Sequence, residues 1–362
     1  MIRVTRSFLP PLEDYLRYVR EIWDRNHLTN DGPLLKELER SIENFIGARS
    51  LSLVTNGTLA LQLGIRALEL KGKVLTTPFS YVASTSSLVW ENCQPQFVDI
   101  DSRRWTLDPA ALEDAIDDET TGILATHVYG IPCHVEELET IARKHNLKII
   151  YDAAHAFGVK FRGKPIVQYG EISTLSFHAT KLFHTVEGGG IFCKTDVLHQ
   201  KVRSFRNFGH RGYDDFDGLG INAKMSEIHA AMGLCNLPHV EKIISERKTL
   251  FDSYKYEIEE MSLPLQFPEI PQGTEYNYAY FPVLLPRATD TLPLKSHLEA
   301  KGIFPRRYFF PTLDKLPYVQ TLKHCKNAEE ISSRVLCLPL FNGMTENDLS
   351  TVLKALSEFF KK

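Results

Sequence analysis

No stretch of the chain approaches the ~18 consecutive apolar residues that a membrane-spanning helix needs. The opening residues, MIRVTRSFLPPLEDY, lack the apolar centre of a secretory leader. Cysteine is sparse and scattered: the six residues at 93, 133, 193, 235, 325 and 337 form no CxxC pair. That spacing argues against a disulfide frame or a structural zinc site and predicts reduced thiols in the cytoplasm. An excess of charge of one sign is missing too. The 42 Lys and Arg face 45 Asp and Glu, a net charge of −3, which disfavours a basic nucleic-acid binder or a polyanionic tail. HExxH, GxSxG and metal-spaced His/Cys clusters are absent, as are internal repeats and low-complexity tracts. What remains is a 362-residue chain, 43% hydrophobic, large enough for more than one small domain. It reads as a soluble cytoplasmic enzyme with no metal, membrane or nucleic-acid partner.

Between residues 50 and 195 short β-branched runs alternate with amphipathic stretches. Strands are predicted at 50–55, 73–78, 94–101, 122–130, 147–153, 172–178 and 189–195, and helices at 58–70, 108–116 and 135–145. Nearly continuous apolar strands separated by helices predict an α/β fold with a mainly parallel sheet covered on both faces. A helical pattern runs from Met225 to Met261 and breaks near Pro238, which cannot continue a hydrogen-bond ladder. Beyond it YAYFPVLL (278–285), LPLKSHLEAKG (292–302) and a helix from Glu346 predict a smaller α+β domain. The expected division is therefore 1–237, a large domain with an N-terminal segment, and 238–362, a small C-terminal domain. The Gly- and Asp-rich stretch 206–220 reads as a mobile loop.

Two segments imitate nucleotide-binding loops. GVKFRGKP (158–165) is one residue short of GxxxxGK[ST], and Pro165 stands where a hydroxyl must reach magnesium; its context predicts a hairpin turn. GLGINA (218–223) matches a dinucleotide fingerprint but follows the acidic YDDFD instead of a strand, so a loop is expected. A P-loop or nicotinamide enzyme would require one of these to be real.

Four other signals lie at strand ends, where open parallel sheets bind ligands. The strand 50–55 runs through Asn56-Gly57-Thr58 into a long helix. Backbone N–H groups there can cradle a phosphate, although an ordinary helix cap reads the same. Asp152 closes the apolar strand KIIY, where a buried carboxylate needs a cation; a helix cap or core ion pair is the plainer explanation. Lys181 leaves another apolar strand five residues after Ser176. A lysine held away from water there becomes a nucleophilic amine, whereas most single lysines simply face solvent. Glu187-Gly188-Gly189-Gly190 permits close backbone approach or a sharp turn. Together with Tyr81 as an aromatic platform, these are the parts of a pyridoxal 5′-phosphate (PLP) enzyme.

At these positions the chain resembles the DegT/DnrJ/EryC1/StrS family of PLP-dependent nucleotide-sugar aminotransferases, a branch of fold type I. The resemblance rests on nine segments in order. They are LTNDGP (28–33), TNGTLAL (55–61), TPFSYVAST (77–85), FVDID (97–101), YDAAHAFG (151–158), SFHATK (176–181), EGGG (187–190), GINAKMSEIHAAMG (220–233) and LPLFNGMT (338–345). It implies that Lys181 is the Schiff-base lysine, that Asp152 partners the pyridine nitrogen and that His155 lies near the phenolic oxygen. Gly57, Thr58 and Ser176 match phosphate ligands, and Tyr81 matches the residue stacking on the ring. Asn222 matches an asparagine reaching the phosphate from the other subunit of a homodimer with shared active sites. Asn56 departs from the serine many relatives carry, a change that spares the backbone contacts.

The texture of YDAAHAFG, SFHATK with EGGG, and PRRYFFP (305–311) is similar to enzymes that move the amino group of L-glutamate to dTDP-4-keto-6-deoxyglucose. The product would be dTDP-4-amino-4,6-dideoxyglucose, a deoxyaminosugar of the kind used in lipopolysaccharide O-antigen. Enzymes acting on 3-keto or UDP-linked sugars look much alike. Relatives that eliminate water carry histidine in place of the lysine, and Lys181 argues against that chemistry. Arg306, Arg307 and Tyr308 are candidate contacts for the nucleotide sugar, although an exposed basic turn reads the same. A catalytically silent PLP-fold binding or regulatory protein is the reading from another class.

Overall fold

The computed structural model describes residues 1–319 and 324–361. Its centre is a sheet of seven strands: β1 (Leu51–Val54), β2 (Gly72–Thr76), β3 (Cys93–Phe97), β4 (Thr120–Thr126), β5 (Lys148–Asp152), β6 (Ile172–Ser176) and β7 (Gly189–Cys193). The order across the sheet is β1-β7-β6-β5-β4-β2-β3. Neighbours run parallel except around β7, which is antiparallel to both β1 and β6. Each strand lies where the apolar runs predict it. The observed strands stop short of several predicted ends: Thr77, His127 and Phe177 are buried, as their apolar surroundings predict, but lie in the loops that follow the strands. One helix, Val82–Trp90, has no apolar stripe to announce it. Its small residues let it lie close against the helix Gly57–Ala67.

Helix-covered faces account for the strand composition. One apolar cluster on the sheet includes Leu53, Ile123, Ile149 and Leu175; another includes Val54, Leu124, Ile150 and Ile191. Alternate residues of one strand thus face opposite layers. The proline at 238 has its expected effect: Glu227–Asn236 is a helix, 237–239 tightens to a 3-10 turn, and Val240–Glu260 forms a new helix. GVKFRGKP is a hairpin, Lys160–Phe161 against Lys164–Pro165, turning at Arg162 and Gly163. GLGINA is loop, with an isolated bridge between Asn207 and Asn222.

In the C-terminal part Phe281–Leu284 pairs antiparallel with Val335–Leu338. Helices Thr291–Ala300 and Glu346–Phe360 pack with them around Tyr254, Phe281, Leu298 and Leu356. Ile2–Arg3 pairs in parallel with Ile303–Phe304, and Ile2 joins the same core. The first residues therefore pack with the C-terminal part and not with the large sheet. A further apolar cluster, containing Phe79, Tyr129, Phe309 and Cys337, joins the two parts. Among the described residues no helix is long and apolar enough to cross a membrane.

A buried carboxylate ties the N-terminal helices to the helix Glu227–Asn236. Glu227 accepts hydrogen bonds from Leu34 N at 3.0 Å and Leu35 N at 2.9 Å, capping the helix Pro33–Ile46. Anionic groups are favoured there by unpaired N–H groups and the helix dipole. Glu227→Ala leaves two buried donors unmet and should cost about 3 kcal/mol, read as a lower midpoint of denaturant unfolding. An unchanged midpoint would show that the cap is dispensable.

Candidate active site

The site forms where β1, β5 and β6 end. Asn56, extended at φ −164°, caps the helix Gly57–Ala67 through its side chain, which accepts from Leu59 N at 2.8 Å. The N–H groups of the first turn are left for a ligand. Ser176 at the end of β6 packs against this turn so closely that a Cβ on Gly57 would lie 3.0 Å from Ser176 Cβ. A Cβ on Gly189 would come within 2.5 Å of the Asn56 carbonyl oxygen. The glycine run thus serves close approach: it presses β7 against the cradle and holds Gly57 beside Ser176. Thr58 is exposed at the mouth. The cradle is an anion site by construction.

Asp152, the last residue of β5, is buried. Its Oδ2 accepts from the Ser84 hydroxyl at 2.7 Å and its Oδ1 from Ala154 N at 3.1 Å. Ser84 Oγ lies 2.8 Å from Ser80 Oγ, which lies 3.0 Å from Thr126 Oγ1. This chain fixes the carboxylate from below. Burial raises the Asp152 pKa; Ser84, Ala154 and the positive charge of Lys181 only partly oppose it. An anion held this way favours a cationic partner in the same cavity.

Lys181 follows a tight turn in which its own N–H donates to His178 O at 2.8 Å. Burial brings its ammonium down to about 8, against the pull of Asp152 and Tyr81. Its Nζ lies 3.5 Å from the Tyr280 hydroxyl. At neutral pH an appreciable fraction of this amine is therefore unprotonated, as a nucleophile or base requires.

His155 is buried, and its Nδ1 accepts from Tyr129 N at 3.1 Å. Burial, then the charge of Lys181, holds its pKa well below the usual histidine value. The ring is neutral with its proton on Nε2, which is left as a donor. It stacks on Phe309 at 5.7 Å and packs against Tyr280 at 4.7 Å. Tyr81, at the start of the helix Val82–Trp90, is more than half exposed and 6.5 Å from Phe309.

These groups border one cavity of about 490 Å³, which collects Gly57, Thr58, Tyr81, Asp152, His155, Ser176, Lys181 and Tyr308. Asn222 is exposed on its loop and does not line it. Arg306 and Arg307 also lie outside: Arg306 bridges to Cys337, and the Arg307 guanidinium stacks 3.3 Å over the Phe310 ring. Ser84, Tyr280 and Phe309 belong to the site without having been singled out from the sequence. Ser84 sits in a run of small hydroxyl residues, Tyr280 in the apolar run 278–285, and Phe309 directly after Arg306, Arg307 and Tyr308. Among the described residues no cluster of three metal-ligating side chains occurs.

An anion cradle, a buried carboxylate and an amine of lowered pKa around one cavity fit a flat, phosphorylated, cationic heteroaromatic aldehyde. Glycine is required where the backbone meets the phosphate end, and carboxylate and amine face the same space. PLP has this composition.

Comparison with known proteins agrees. A model of the DegT/DnrJ/EryC1/StrS aminotransferase family matches residues 12–357. A Shigella dysenteriae protein named dTDP-4-amino-4,6-dideoxy-D-glucose transaminase is 39% identical over 99% of this chain and 98% of its own. An Escherichia coli protein of the same name is 35% identical over 98% of each. A solved structure described as DesI in the presence of its TDP-sugar product superimposes with a TM-score of 0.94 at 28% identity, covering 99% of this chain and 92% of that one. The chain belongs to the DegT/DnrJ/EryC1/StrS aminotransferase family and is a PLP-dependent sugar aminotransferase of fold type I.

Proposed function

We propose that the enzyme transfers the amino group of L-glutamate to C4 of dTDP-4-keto-6-deoxyglucose, giving dTDP-4-amino-4,6-dideoxyglucose. The observation that carries the chemistry is the convergence of Lys181 and Asp152 on one cavity beneath the helix Gly57–Ala67. Support for the sugar comes from the full-length likeness to the two transaminases of that name. The TDP-sugar in the DesI description points to the same nucleotide class.

Each residue has a task in this reading. Lys181 would hold the cofactor covalently, and once displaced by the amino donor its free amine would accept the proton from the donor's α-carbon and later return one to the sugar's C4. Bound PLP supplies the electron sink. Asp152, held by Ser84 and Ala154 N, keeps the pyridine nitrogen protonated. His155 offers its Nε2 proton to the ring oxygen. The first turn at Gly57 and Thr58, with Ser176, binds the phosphate, and Tyr81 covers the ring. Tyr280 stands beside Lys181 Nζ and orients the freed amine.

The active unit is a homodimer in this reading, with Asn222 completing the phosphate site of its neighbour. That is consistent with its exposure away from its own chain's cavity. The six cysteines, all buried, fit a reducing cytoplasm. The division at 237/238 separates a cofactor-binding part from a smaller one contributing Tyr280 and Tyr308. The product would serve surface-polysaccharide synthesis such as O-antigen.

The assay is turnover of the holoenzyme with L-glutamate and dTDP-4-keto-6-deoxyglucose, with NMR of the product. A 4-amino-4,6-dideoxyglucose is expected; amination at C3, or turnover only with UDP-linked sugars, would replace the substrate while keeping the chemistry. Lys181→Ala should lower turnover roughly 10⁴-fold while leaving PLP bound without a covalent link. Asp152→Asn should retain PLP but lose roughly 10²-fold or more in kcat, since a fixed charge beside the ring is gone. Wild-type turnover in either variant would refute the corresponding role.

A further inference from the structure

A second cleft, of about 580 Å³, opens beside the catalytic cavity and shares Thr180 with it. One wall is the N-terminal segment, through Arg3, Thr5, Arg6 and Ser7; the other is the C-terminal part, at Phe341, Gly343 and Asp348. The segment is fixed on both sides. Ser7 Oγ donates to Ala179 O at 2.6 Å and Thr5 Oγ1 to Thr180 O at 3.4 Å. On the opposite side Ile2 pairs with Ile303, and Leu340 N donates to Val4 O at 3.1 Å. The strap thus grips the turn that carries Lys181 and holds its own arginines above an open cleft.

Both arginines are exposed, and neither pairs with a carboxylate among the described residues; Arg3 Nε has only the Met1 sulfur, at 3.5 Å. The one acid in the cleft, Asp348, is occupied by the N–H and hydroxyl of Thr345. It subtracts from the positive field without cancelling two guanidiniums. By contrast Arg307 is committed to Phe310 and the Ser333 carbonyl, and Arg306 lies outside both clefts. The acceptor sugar carries a diphosphate one hexose ring away from its reacting carbon. The cleft adjoins the catalytic cavity at Thr180, the residue before Lys181, so an acceptor whose keto carbon faces the amine can extend its diphosphate into it. Guanidinium groups match phosphate oxygens in geometry as well as charge.

We propose that this cleft seats the diphosphate of the nucleotide-linked acceptor, with Arg3 and Arg6 as its cationic ligands. The proposal rests on the reading that the acceptor is a nucleotide sugar. Specificity for nucleotide-linked over free keto sugars then resides in a strap that touches neither PLP nor the reacting carbon.

The test is calorimetric binding of dTDP to the holoenzyme, wild type against Arg3→Ala/Arg6→Ala. Arg20→Ala, on the helix Leu12–Arg25 and lining neither cleft, is the control for loss of positive charge. The double variant should bind dTDP roughly 100-fold more weakly, and Arg3→Lys/Arg6→Lys should recover part of the loss. Arg20→Ala should bind as wild type does. An unchanged visible cofactor band and melting temperature in the double variant establish that it is folded. Wild-type dTDP affinity in the double variant would overturn the proposal, as would a wild-type enzyme that binds no nucleoside diphosphate. If dTDP binds through these arginines but no nucleotide sugar is aminated, the diphosphate site stands and the acceptor reading fails.

Discussion

The burial of one carboxylate and one amine in the same cavity is the constraint on which the remaining site geometry depends. Asp152 and Lys181 come from neighbouring strands, β5 and the exit of β6, and burial pushes both toward their neutral forms. Neither is tolerable alone in such surroundings. The hydroxyl chain from Thr126 through Ser80 and Ser84 orients the carboxylate. His155, Tyr280 and Phe309 line the same cavity as packed rings, with Tyr129 stacked behind Phe309. The result is an amine whose pKa is lowered to about 8 beside a carboxylate poised for a cation, which is what amino-group transfer asks of a protein.

The sheet supplies this arrangement through one reversal. Because β7 runs antiparallel between β1 and β6, its first glycines lie at the ends of the strands where the ligand must sit. Gly189 passes beneath the Asn56 carbonyl with no room for a side chain. The glycine run that looks like a turn signal is thus a packing device that brings the first turn of the helix Gly57–Ala67 and the β6 end together. The C-terminal part then closes the cavity with Tyr280, Tyr308 and Phe309. Its own core is anchored in part by residue 2 of the chain.

Much of this was legible in the sequence, for identifiable reasons. Strands buried on both faces leave continuous apolar runs, so all seven could be located. Asp152, Lys181 and Gly57 stood out as polar or glycine residues at the ends of such runs. Segments that imitate nucleotide loops were separable because their surroundings had the wrong secondary structure. What stayed hidden were residues whose role depends on partners distant in the chain. Ser84 is one of several small hydroxyl residues, and nothing local distinguishes the one that meets Asp152. Tyr280 lies in an apolar run and Phe309 beside a basic pair, and neither meets the site until the C-terminal part folds over the sheet. Arg306 and Arg307 attracted notice as a basic pair, yet their guanidiniums turn from the cavity, while the exposed Arg3 and Arg6 border a cleft formed only by tertiary contact.

The central claim is that the fold holds the Lys181 amine in a desolvated state near neutrality. It is tested most directly by modifying the cofactor-free protein with a small amine-reactive reagent and following Lys181 by mass spectrometry across pH. Only the unprotonated amine reacts, so the rate should rise tenfold per pH unit and level off above about 8. A rate that keeps climbing until about 10.4, the value of an ordinary lysine, would mean that the cavity does not perturb the amine, and the account would fail at its base.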